Sequence, residues 1–139
     1  MRFMVIITQQ DMRVDNKVVK LLIADDVAML RDMLRAMIKK EGQFKIYEAN
    51  NGDEALRIYK TNMPSIVFLD VNMPGCDGMS VLESIRAHDI STFVVMVSGN
   101  NTAENVIAAV NAGASGYVIK PFSQKNISAI IKKYYNSKK

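Results

Sequence analysis

Leu21, Leu22, Ile23 and Ala24 run without interruption into Asp25-Asp26, and Ile66, Val67, Phe68 and Leu69 run into Asp70. Apolar runs of this length read as strands buried on both faces of a parallel sheet, and the carboxyl ends of such strands are where open α/β sheets bind ligands. If the two strands are parallel neighbours, three carboxylates meet at one edge. They repel one another unless a cation sits among them. Mg²⁺ suits such a site best, because it takes a few carboxylates, keeps several waters and coordinates phosphoryl oxygen. The expected chemistry is phosphoryl transfer at a carboxylate, and Asp70, alone in front of the loop Val71-Asn72-Met73-Pro74-Gly75, is the candidate acceptor. Buried acids without such a role are expensive, which weighs against a purely structural reading.

Positioning these groups takes five alternating strand and helix segments. Val18 to Ala24 reads as the first strand, followed by a helix with Leu30, Met33, Leu34, Met37 and Ile38 at three- and four-residue spacing. Phe44 to Ala49 alternates like an edge strand. Asn51 and Glu54 form a capping-box pattern for a second helix, which Met63-Pro64 ends. Ile66 to Asp70 is the central strand, and Asp77-Gly78 opens a helix with Met79, Leu82 and Ile85 inside. Phe93 to Val97 ends at Ser98-Gly99, and a helix with Val106, Ile107 and Val110 follows. Gly116 to Ile119 ends at Lys120-Pro121, and Ser123 caps a last helix that buries Ile127, Ile130, Ile131 and Tyr134. Repeated βα units with short loops demand parallel strands and right-handed crossovers. The expected fold is α/β, a doubly wound five-stranded parallel sheet of order 2-1-3-4-5, flavodoxin-like, which gathers Asp25, Asp26, Asp70, Ser98 and Lys120 at one edge. The ten methionines, at helical spacing, read as core filler.

Composition narrows the class. A chain of 139 residues, 49% hydrophobic and 23% charged, makes one globular domain, and its apolar stretches are too short to cross a membrane as a helix. Arg2 and the block Phe3 to Ile7 are too short for a secretory signal, so a cytoplasmic location is expected. The single cysteine, Cys76, can form no internal disulfide and reads as a loop thiol without a role. The formal net charge of +4 is concentrated: six lysines and no acid lie in residues 120–139, leaving 12 basic against 14 acidic side chains elsewhere. Specific nucleic-acid reading has no motif to support it.

Asp25-Asp26 after the first strand, Asp70 within FLDVNMPGCDG, Ser98-Gly99 after the fourth strand and Lys120 within GASGYVIKPF together resemble a CheY-like receiver domain of two-component response regulators. The resemblance covers residues 18–135 and leaves residues 1–17 as an N-terminal extension, so the expected division is 1–17 and a receiver at 18–139. It implies that Asp70 is the phosphoacceptor, that Asp26 and Asp70 ligate Mg²⁺ directly, and that Asp25 acts through a metal-bound water. Asn72 would give its backbone carbonyl to the metal, Ser98 its hydroxyl and Lys120 its ammonium to the phosphoryl group. A cis Lys120-Pro121 peptide and a switch pairing Ser98 with Tyr117 are implied as well. The donor would be a histidine kinase or histidine phosphotransfer domain, and the product a changed affinity for a separate downstream protein, as in chemotaxis. A phosphatase is a further possible partner, and a monomer that can dimerise on activation is expected. Cys76 in place of a common methionine and Ser98 in place of a common threonine are the departures.

Four other readings compete with this one. A phosphorelay intermediate would pass the phosphoryl group on, and a receiver scaffold would act without it. A flavodoxin needs a Ser/Thr/Gly-rich phosphate loop where this chain has Asp25-Asp26, and a haloacid-dehalogenase-type phosphatase needs an acid at position 72, which is Asn72.

Overall fold

Five strands alternate with five helices in the computed structural model, which describes residues 18–100 and 102–138. They are β1 (Val19–Ala24), α1 (Ala28–Lys39), β2 (Phe44–Ala49), α2 (Gly52–Asn62), β3 (Ile66–Asp70), α3 (Gly78–His88), β4 (Phe93–Ser98), α4 (Ala103–Asn111), β5 (Gly116–Ile119) and α5 (Gln124–Asn136). Every strand pair is parallel, as the βα alternation predicts, and the order is the expected β2-β1-β3-β4-β5. β3 and β4 are buried along their whole length, because helices cover both faces of the sheet. Residues of alternate parity on each strand feed two separate cores. Leu21, Ile23, Ile66, Phe68, Val95 and Val97 pack with α1 and α5 on one face. Leu22, Val67, Leu69, Val94 and Met96 pack with α2 and α3 on the other.

Local signals end the helices where they stand. Asn51 Oδ1 accepts from Glu54 N at 2.8 Å, while Glu54 reaches back to Asn50 N at 2.8 Å, one residue earlier than the usual reciprocal box. Met63 adopts φ 50° in front of Pro64, which disfavours a continuing right-handed turn at that residue. Asp77 caps α3 and Ser123 caps α5, each through a side-chain oxygen accepting an amide three residues on. The Lys120-Pro121 peptide is cis.

One expectation about side chains needs correction, and one helix packs by a residue that its spacing does not mark. Ile107 and Val110 of α4 are 57% and 61% exposed, and the buried residue of that helix is Ala109. The methionines are not all core filler: Met96 and Met73 are buried, whereas Met29, Met33 and Met63 lie on the surface. The expectations for residues 1–17 lie outside the described residues. Among the described residues, no helix is long and apolar enough to cross a membrane.

Candidate functional site

The register of the sheet brings the acids together. Ala24 pairs with Leu69 across β1 and β3, so Asp25 and Asp70 each follow that pair by one residue on adjacent parallel strands. The ladder continues past the strand ends: Asp25 N donates to Ala49 O at 3.1 Å, Val71 N to Val97 O at 2.9 Å and Lys120 N to Ser98 O at 2.8 Å. These bonds set Asp25, Asp70, Ser98 and Lys120 at one edge as continuations of the sheet rather than as free loops. Gly78 lets the start of α3 close on this edge. A side chain there would collide with the Asp70 carbonyl, and the Gly78 amide bonds Val71 O at 3.1 Å.

Side-chain oxygens of Asp25, Asp26 and Asp70 lie within 4.8 Å of one another. Asp25 and Asp70 are 4% and 5% exposed, while Asp26 faces solvent. Lys120 Nζ bridges the two buried acids, 3.1 Å from Asp25 Oδ2 and 3.4 Å from Asp70 Oδ1. The other oxygen of Asp25 accepts from Val27 N at 2.9 Å, and Asp70 Oδ1 also accepts from Asn72 N at 3.3 Å. Three carboxylates facing one ammonium leave an excess of negative charge. At an effective dielectric of about 20, the repulsion between two carboxylates this close is roughly 3 kcal/mol. Burial raises the Asp70 carboxyl above the usual carboxylate range, and the Asp25 charge adds to that; Lys120 and the Asn72 amide only partly oppose them. A divalent cation reverses this balance, and all three acids supply the hard oxygen donors Mg²⁺ accepts.

Ser98 is 2% exposed, and its Oγ accepts from Asn100 N at 3.0 Å. Tyr117 donates its hydroxyl to the Asn100 carbonyl at 3.0 Å. The same tyrosine lines a hollow of about 280 Å³ with Asn126, Ala129 and Ile130 of α5. The acidic edge is therefore linked, through one residue of the β4–α4 loop, to the surface between β5 and α5.

A family model described as the response regulator receiver domain matches residues 21–132. The chain belongs to that family. This receiver is 34% identical over 117 residues to the chemotaxis protein CheY of Bacillus subtilis, covering 84% of this chain and 98% of that one. It is 36% identical over 114 residues to the chemotaxis protein CheY of Listeria monocytogenes, with 82% and 96% covered. A crystal structure of a receiver domain protein from Clostridium thermocellum superposes with a TM-score of 0.80 at 27% identity, covering 87% of this receiver and 97% of that chain. The receiver is thus a CheY-like response regulator domain of two-component signalling, a signalling protein of phosphorylation-dependent type.

All seven residues singled out in the sequence, Asp25, Asp26, Asp70, Asn72, Ser98, Tyr117 and Lys120, lie at or next to this edge. Two participants in the geometry have no sequence signature. Arg31 of α1 donates to the Asp25 backbone carbonyl at 2.7 Å and to Glu48 at 3.1 Å. Asn100 joins Ser98 to Tyr117 entirely through its backbone.

Proposed function

We propose that this receiver accepts a phosphoryl group on Asp70 from a histidine kinase or histidine phosphotransfer domain and thereby changes its affinity for a separate protein. The observation that supports this most strongly is the pair of buried acids bridged by Lys120 beside the exposed Asp26. One carboxylate must attack while its neighbours hold compensating cations, and Asp70 is the one at the end of the central strand.

An Asp70 carboxylate oxygen attacks phosphorus in line with the phosphohistidine bond. The new P–O bond forms as the P–N bond breaks, and the imidazole leaves with the bonding pair. Negative charge on the equatorial oxygens is the demand this edge has to meet. Lys120 exchanges its contact with Asp70 for one with a phosphoryl oxygen, and the Ser98 hydroxyl donates to another. Asp25, Asp26 and the Asn72 backbone carbonyl, together with Asp70, would hold Mg²⁺, which when bound neutralises the transferred group. The same groups serve hydrolysis of the acyl phosphate, so the receiver assists its own phosphorylation and dephosphorylation.

Output follows from the link through Asn100. When Ser98 turns to the phosphoryl group, its bond with the Asn100 amide is lost, and the loop that also accepts the Tyr117 hydroxyl is freed to move. The surface of Tyr117, α4 and α5 is then the readout, and the exposed Ile107 and Val110 give it apolar area. Lys125 and Lys132 are exposed on α5 and favour an acidic partner, whereas Lys133 is engaged with the Ser115 carbonyl at 2.7 Å. The relatives named chemotaxis proteins support an output of chemotaxis type. The test is transfer from a phosphorylated histidine phosphotransfer domain. Label is expected to move to the wild-type receiver and not to Asp70→Asn, and equal labelling of both would overturn the assignment.

A further inference from the structure

The Asp25 residue is clamped on three sides. Its amide donates to Ala49 O at 3.1 Å, its Oδ1 accepts from Val27 N at 2.9 Å, and its carbonyl accepts from Arg31 Nη1 at 2.7 Å. The first two bonds come from backbone. The third comes from a side chain whose own direction is set by Glu48, which accepts from Arg31 Nε at 3.1 Å and stands 3.8 Å from Arg35 Nε. Glu48 is on β2, paired in register with Ile23 of β1, so the sheet itself carries the anchor for the guanidinium. Arg31 is half-buried, and two donors of its planar fork are spent in fixed directions.

The Asp25 carbonyl and the Asp26 amide share one rigid peptide plane. Holding that carbonyl fixes the direction in which the chain leaves Asp25, and hence where Asp26 projects. Asp26 needs this most: it faces solvent, and among the described residues no hydrogen bond reaches its carboxylate. Its approach to Asp25 and Asp70, within 4.8 Å, therefore depends on the backbone alone.

We infer that Arg31, oriented by Glu48, is a positioning residue for the acid cluster, and that it sets the receiver's Mg²⁺ affinity without touching metal or phosphoryl group. The inference rests on the reading of Asp25, Asp26 and Asp70 as the Mg²⁺ site. Charge alone makes the opposite prediction. Removing a nearby cation would strengthen attraction of Mg²⁺ to the acids, whereas removing a positioning group weakens binding despite the more negative field.

The experiment is calorimetric titration of the unphosphorylated full chain with Mg²⁺, for wild type, Arg31→Ala, Arg31→Met and Arg31→Lys, with thermal melts in EDTA beside it. Both neutral variants are expected to bind Mg²⁺ about tenfold more weakly, at the low end of what groups behind the metal ligands contribute. Arg31→Lys, which keeps one donor for the carbonyl, should recover part of the loss. In labelling by acetyl phosphate, the Mg²⁺ concentration for half-maximal rate should rise by the same factor while the rate at saturating Mg²⁺ stays near wild type. A general loss of fold would lower the melting temperature in EDTA without that selective shift. Arg31→Met keeps the apolar stem and carries the test if the alanine variant does not fold. Unchanged or tighter Mg²⁺ binding in a folded neutral variant overturns the inference. Absence of binding in wild type overturns instead the reading on which it rests.

Discussion

Tyr117 donates its hydroxyl to the backbone carbonyl of Asn100 at 3.0 Å, and the amide of that same Asn100 is bonded to Ser98 Oγ at 3.0 Å. The tyrosine and the buried serine therefore hold one residue between them, one at its carbonyl and the other at its amide. Replacing Tyr117 by Phe removes one donor and should cost about 1 kcal/mol of stability, with acetyl phosphate labelling of Asp70 within about twofold of wild type. Ser98→Ala should instead slow labelling about tenfold, because in the proposed mechanism its hydroxyl donates one hydrogen bond to the transferred group. Equal labelling by both variants would show that the two hydroxyls do not divide the work this way.

In the proposed mechanism Lys120 has two tasks with opposite effects. It neutralises Asp25 and Asp70 in the resting site, so it competes with Mg²⁺ for the same field. Lys120→Met should tighten Mg²⁺ binding severalfold yet slow labelling about a hundredfold, since an ammonium is missing where phosphoryl charge develops. Calorimetry and labelling on one preparation test both signs.

Asp26 is the exposed acid of the three, so its removal should leave the fold intact. Asp26→Ala is expected to melt at or slightly above the wild-type temperature, through relief of repulsion, while Mg²⁺ affinity falls about tenfold or more, because few ligands remain. An unchanged Mg²⁺ isotherm would contradict the assigned role.

Acid stability has a separate origin. The Ser91 side chain, the Ser91 amide and the Thr92 hydroxyl donate to Asp89 at 2.6, 2.7 and 2.9 Å and hold its carboxyl down at about 2. The folded value is below the unfolded one, about 3.9. The stability it contributes is therefore fully present above pH ~4 and is lost as pH falls through about 2. Melting temperatures of wild type and Asp89→Asn should differ by a constant amount at pH 5 to 7 and converge between pH 4 and 2, roughly the interval of that shift.

How far the sequence alone leads is visible in particular elements. Ile66 to Leu69 is apolar at every position and reads as a strand buried on both faces, so Asp70 at its end is legible. The order β2-β1-β3-β4-β5 brings that end beside Asp25-Asp26 and is legible in part through the resemblance to receiver domains. α4 was not legible in the same way. Spacing gathers Val106, Ile107 and Val110 on one face, away from Glu104 and Asn111, yet Ile107 and Val110 are exposed and Ala109, small enough for close approach to the sheet, is the residue that packs. The Arg31–Glu48 contact spans 17 positions and forms only because β2 lies beside β1. Asn100 acts through its backbone, which every residue type possesses. Lys133 shows the reverse: its charge is plain in the sequence, and its engagement with Ser115 O is not.

The central claim is that Asp70 is the residue that carries the phosphoryl group. The most direct measurement is acetyl phosphate labelling of the wild-type receiver with and without Mg²⁺, followed by borohydride reduction of the acyl phosphate and peptide mass spectrometry. The account predicts that reduction marks Asp70 alone, only when Mg²⁺ is present, and that Asp70→Asn gives no marked peptide. A mark on another acid in the wild-type chain, or equal marking in EDTA, would contradict it.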